Sequence, residues 1–254
     1  MAASSFSLDD QAGREQALSV LAPQGRLRAA INFGNAALAQ RGAAGEVSGV
    51  SVDLAGALAR ELGVPCEYVG YEAAGKVSEG MGQWDVAFLA IDPVRAERLA
   101  FTSPYVLISA CYMVRTDSPL QTPAEVDAPG HRVGVGRNAA YDLHLTRTLR
   151  HAQLVRCDTA PEAFALLESG RVDAAAGVRR VVQQYAAERR HLRVMAEDFM
   201  GIEQAVCVPR DALARAPQAL AWLTRWVEAA KRSGFVAESL ARSGQVEASV
   251  APAA

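Results

Sequence analysis

Residues 88–105, FLAIDPVRAERLAFTSPY, decide how this chain is read. A strand-like apolar run ends at Ile91, and Asp92-Pro93 and Arg95 follow before the chain turns apolar again toward Pro104-Tyr105. In an open α/β sheet, ligands bind beyond the carboxyl ends of the strands. An arginine there suits a carboxylate, because a planar guanidinium offers two parallel donors, a geometry lysine lacks. The plainer reading pairs Arg95 with Asp92 or Glu97 at the surface. Asp92 itself either faces the cleft or only initiates the Asp-Pro turn.

The flanking sequence supplies the sheet this reading needs. LRAAIN (27–32), PCEYVGY (65–71) and WDVAFLAI (84–91) read as strands, and VSGVSVDLAGALARELG (47–63) as a helix capped by Ser48 or Ser51 and ended by Gly63. Alternating strands and helices over so short a span predict a mostly parallel α/β unit. A second unit follows: strands at 131–136, 153–157 and 171–177, with helices at 139–151 and 160–170. Two extended runs, 105–115 and 201–209, lead from one unit to the other and back. The expected architecture is therefore α/β, with two Rossmann-like lobes joined by two extended hinge crossings. The expected division is an N-terminal extension (1–25), lobe 1 (26–109 plus 205–246), lobe 2 (110–204) and a frayed tail (247–254).

Composition narrows the function. The chain has 254 residues, is 50% hydrophobic and 21% charged, and carries a formal net charge of −2. It has no basic block for nucleic acid. No apolar run approaches the ~20 residues of a membrane span. The opening residues show no basic region followed by an apolar one, so a cytoplasmic location is expected as the sequence stands, and a periplasmic one if the start was trimmed. Cys66, Cys111, Cys157 and Cys207 are too far apart for a metal motif and read as free thiols. No metal or cofactor is expected. GVGRNA (134–139) fits the dinucleotide pattern G-x-G-x-x-A with Asp158 downstream, but it lies mid-chain in the second unit, and such short matches arise by chance.

The order of these segments resembles the amino-acid-binding (family 3) solute-binding proteins of ABC importers, with a type II periplasmic-binding-protein fold. The likeness rests on SGVSVDLAGALARELG, WDVAF, R-AERLA-FTSPY, VDAPGHRVGVGRNAAYDLHL, ESGRVDAAAG and GIEQAVCVP, across roughly residues 26–244. It implies a monomeric clamp that closes on a small carboxylate-bearing solute, an amino acid or related organic acid, and delivers it to an ABC permease. In that family the arginine ahead of the Phe-Thr-Ser-Pro-Tyr segment grips the carboxylate, which falls on Arg95. The turn at Arg137, Asn138, Ala139 and Ala140 opens a helix whose first N–H groups suit an anion.

Several family features are replaced. The residues that usually receive the ligand's amine give way to AIDPVR, placing Ala90 and Asp92 nearby, and the acid after ESGRVDA is missing, leaving Gly177. The aromatic clamp region reads NFGNAAL, so Asn32, Phe33 and Asn35 are the candidates there. The expectation favours Asp92 in the cleft as the amine's partner. Some relatives on this fold are cyclohexadienyl dehydratases. That alternative needs a general acid, for which Glu72, Asp92 and Glu203 are the candidates.

Overall fold

The computed structural model describes residues 6–254. Residues 1–5, on which part of the signal-peptide reading rests, lie outside the described residues. Helix α1 (Gln11–Leu21) is capped by Asp10, whose carboxylate accepts the Gly13 N–H at 2.9 Å. Strand β1 (Leu27–Asn32) leads through the small hairpin of β2 (Gln40–Arg41) and β3 (Val47–Ser48) into helix α2 (Val50–Leu62). The cap differs from expectation. The N-cap is Gly49, at φ 109°, and a Cβ there would lie 2.4 Å from the Leu38 carbonyl oxygen, so only glycine fits. Ser51 is instead buried against the Tyr105 hydroxyl at 3.1 Å. Gly63 ends the helix in the left-handed region as expected, its N–H returning to Ala59 and Arg60.

Strand β4 (Cys66–Tyr71) and helix α3 (Ala74–Glu79) follow, then β5 (Val86–Ala90), buried at every position. Parallel pairing orders these strands β4-β1-β5. After the short α4 (Pro93–Ala96), strand β6 (Leu99–Arg115) carries the chain across to the second lobe. There α5 (Pro123–Val126), β7 (Arg132–Gly136), α6 (Ala140–Thr148), β8 (Gln153–Cys157), α7 (Ala160–Glu168), β9 (Ala174–Val178) and α8 (Arg179–Ala187) build a second parallel unit ordered β9-β7-β8. Strand β10 (Leu192–Pro209) returns antiparallel to β6 and then pairs with β5. The two long strands belong to both lobes, which makes one continuous sheet, β4-β1-β5-β10-β6-β9-β7-β8. Register shifts interrupt the β6–β10 ladder, including one between Gln204 and Ala205; bulges of this kind bend a strand and re-aim its side chains.

Helices α9 (Gln218–Arg232) and α10 (Phe235–Arg242) close lobe 1. Trp222 and Trp226 of α9 are fully buried, and Phe6 packs at a tilt against Trp226 and edge-on against Phe235. From Phe6 onward, the N-terminal segment packs onto lobe 1. The tail expected to fray is held as well. Strand β11 (Ser249–Val250) pairs with Val106 and Leu107 of β6, and Lys231 donates to the Pro252 carbonyl at 2.7 Å. Ala251 is 3% exposed. A buried lysine needs acceptors, and the tail supplies one, which no local pattern in EASVAPAA reveals. All four cysteines are free, one on each of β4, β6, β8 and β10. Among the described residues no helix is long and apolar enough to cross a membrane.

Candidate functional site

A cavity of about 70 Å³ lies between the lobes at the carboxyl ends of β1, β5 and β7. Lobe 1 contributes Asn32, Asn35, Ala90 and Arg95. Lobe 2 contributes Arg137, Ala139, Ala140 and Tyr141. The return crossing adds Ile202 and Gln204, and Phe88 of β5 adds an apolar wall. Seven of the sequence-derived candidates therefore meet in one place: Asn32, Asn35, Ala90, Arg95, Arg137, Ala139 and Ala140.

Arg95 is the buried charge of this cavity, 6% exposed. Its Nη1 donates to the Ala90 carbonyl at 3.0 Å and its Nη2 to the Asn138 carbonyl, across the cleft, at 2.9 Å. Its Nε is buried without a partner. Neither Asp92 nor Glu97 forms an ion pair with it among the described residues, so the surface-pair reading of Arg95 does not hold. Burial pulls its pKa down from the ordinary arginine value, and the charge of Asp92 pushes the other way. A guanidinium does not give up its proton in a protein, so the site holds a desolvated cation in need of an anion. The first turn of α6 faces it, and that helix has no side-chain N-cap, which leaves its amides available to a negative group.

Four candidates are placed otherwise. Asp92 is 2% exposed and does not line the cavity. It caps α4 by accepting the Val94 N–H at 2.9 Å, and it accepts from Arg147 of α6 at 2.8 Å. The Asp-Pro turn and a lobe-to-lobe ion pair thus replace the expected cleft role. Asn138 does not cap α6. It sits at φ 57°, and its N–H donates to the Asp142 carboxylate at 2.8 Å. Phe33 lies away from the cavity with the Arg41 guanidinium 4.2 Å over its ring. Gly177 points into lobe 2, where a Cβ would meet Val182 and Phe164. Its neighbour Val178 lines the cavity, as strand alternation requires.

Residues that sequence reasoning missed are Gln204, Ile202 and Tyr141. The signal for Gln204 was a polar residue inside the apolar run IEQAVCV. Gln204 is 5% exposed. Burial pushes the Tyr141 hydroxyl pKa up, opposed by a hydrogen bond from the Gly136 amide. The candidate general acids are poorly placed for chemistry. Glu203 is exposed on the opposite face of β10 from Gln204, and Glu72 at the cavity rim pairs with Arg41 at 3.2 Å.

Known proteins share this fold. Residues 27–243 match the bacterial extracellular solute-binding proteins, family 3. The ABC transporter arginine-binding protein 1 of Escherichia coli K12 is 27% identical over 174 residues, 66% of this chain and 70% of that protein. A mutant of the T. maritima ArgBP superposes with a TM-score of 0.76 at 21% identity, covering 90% of this chain and 99% of that one. An ancestral amino acid-binding protein, described as a precursor of cyclohexadienyl dehydratase, superposes at 0.73 with 22% identity, covering 89% and 97%.

Proposed function

This chain belongs to family 3 of the bacterial extracellular solute-binding proteins, and from that premise we propose that it closes its two lobes on a small carboxylate-bearing solute gripped by Arg95. It is a binding protein, and the Escherichia coli relative described above is an ABC transporter arginine-binding protein. The observation that carries the carboxylate reading is the burial of Arg95 without a carboxylate partner, facing the first turn of α6 across the cleft. A ligand carboxylate takes two parallel bonds from the guanidinium and further bonds from the α6 amides, so both lobes gain contacts only when they are together. Ligand affinity for the closed form beyond that for the open one then drives closure. The bulged crossing strands β6 and β10 are the elements that bend.

The closed monomer presents its solute to an ABC permease on the outer side of the cytoplasmic membrane. A thermal-shift panel of amino acids and related organic acids tests the reading. A ligand at ~100 times its Kd stabilises by about 2.7 kcal/mol. A melting point unmoved by any carboxylate contradicts it.

A further inference from the structure

The cavity is rich in donors, and the one carboxylate residue that lines it among the described residues is Glu72, at the solvent-exposed rim; no carboxylate is buried in its wall. Backbone amides fix two of its carboxamides: Gly34 N–H donates to Asn32 Oδ1 at 3.1 Å, and Ala37 N–H to Asn35 Oδ1 at 3.3 Å. Each is left with its Nδ2 as the group free to meet a ligand. Gln204 is buried in the wall with no protein partner for its side chain among the described hydrogen bonds. The nearby acids are spent elsewhere: Asp92 on Val94 and Arg147, and Glu72 on Arg41 with 65% of its side chain exposed.

Charge then selects the ligand. A monoanionic acid neutralises Arg95. An α-amino acid neutralises it and adds an ammonium with no buried anion opposite, and an arginine adds a second cation besides. An unpaired charge taken out of water is strongly disfavoured.

We propose that the ligand is a small carboxylic acid without an amine, a 2-oxo or 2-hydroxy acid. Its carboxylate sits on Arg95, and its oxo or hydroxyl oxygen is read by Gln204 and the Asn32 and Asn35 amides. The assignment rests on the carboxylate reading of the same cavity.

Matched pairs test it by isothermal titration on the full chain: pyruvate and lactate against alanine, 2-oxobutyrate and 2-hydroxybutyrate against 2-aminobutyrate, with arginine as a further ligand. The expected result is that an oxo or hydroxy acid binds about tenfold tighter or more than its amino partner. Gln204→Glu supplies the missing anion, and its preference should swing toward the amino acid by a similar factor. If the wild type binds the amino acids as tightly as their deaminated partners, or tighter, this assignment is overturned while the carboxylate reading stands. No heat from either class overturns both. A Gln204→Glu variant that binds with the wild-type preference removes Gln204 as the reader of the second group and overturns the assignment of that subsite.

Discussion

Removing Arg147 tests the closure mechanism most informatively, because it touches the lobe interface without touching the cavity. Arg147 donates at 2.8 Å to Asp92, whose side chain is 2% exposed, while Arg147 itself keeps 41% of its side chain in water. A hydrogen bond to a charged group contributes about 1.5–3 kcal/mol. Exposure of the arginine end lowers that toward about 1–2 kcal/mol. Closure is coupled to binding, so Arg147→Met should raise Kd by about five- to thirtyfold. Titration calorimetry reads the affinity, and small-angle scattering should report a more open ligand-free ensemble. An unchanged Kd refutes the role given to this pair. A tighter Kd for amino acids alone refutes more, since it means that Asp92, once freed, turns to the ligand's amine.

Two further perturbations probe the frame around the site. Gly49→Ala forces a side chain into a backbone conformation at φ 109° and against the Leu38 carbonyl. It should cost about 1–3 kcal/mol and lower Tm by roughly 2–12 °C in a thermal melt; an unchanged Tm contradicts the cap assignment. His144 of α6 titrates below the ordinary histidine value of 6.5, mainly through burial and then through Arg147, with Asp92 opposing. A histidine with a depressed folded pKa binds its proton more readily unfolded, so its contribution to stability is present above 6.5 and is lost as pH falls through 6.5 and below the folded value. Tm should therefore drop between pH 7 and 5 less steeply in His144→Gln than in the wild type, and equal slopes contradict this.

What the sequence made legible follows from short-range physics. Strand β1 and strand β8 fall at the residues the sequence indicates, because each is short and bounded by turn residues, and β1 is in addition an apolar, mostly buried run. Arg95 and the turn at 136–140 stand out for the same reason: both sit where a strand ends, so topology alone brings them to the cleft. Asp92 was misplaced because its partner, Arg147, lies 55 residues away, and nothing around Asp-Pro distinguishes a turn that also pairs across the cleft from one that faces a ligand. Gln204 was missed because IEQAVCV reads as an ordinary crossing strand, and the register shift after Gln204 is a property of the β6–β10 pairing. The docked tail depends on the buried Lys231, whose need for acceptors appears only once α9 is packed.

The central claim is that Arg95 anchors the solute, and titration of Arg95→Met with the best carboxylate found for the wild type tests it directly. Methionine, of similar length, removes a desolvated charge but also the donor to the Ala90 and Asn138 carbonyls, two effects on stability of opposite sign. The account predicts that the variant folds, as a ligand-free melt checks, with ligand heat abolished. Wild-type affinity in a folded Arg95→Met protein would contradict it.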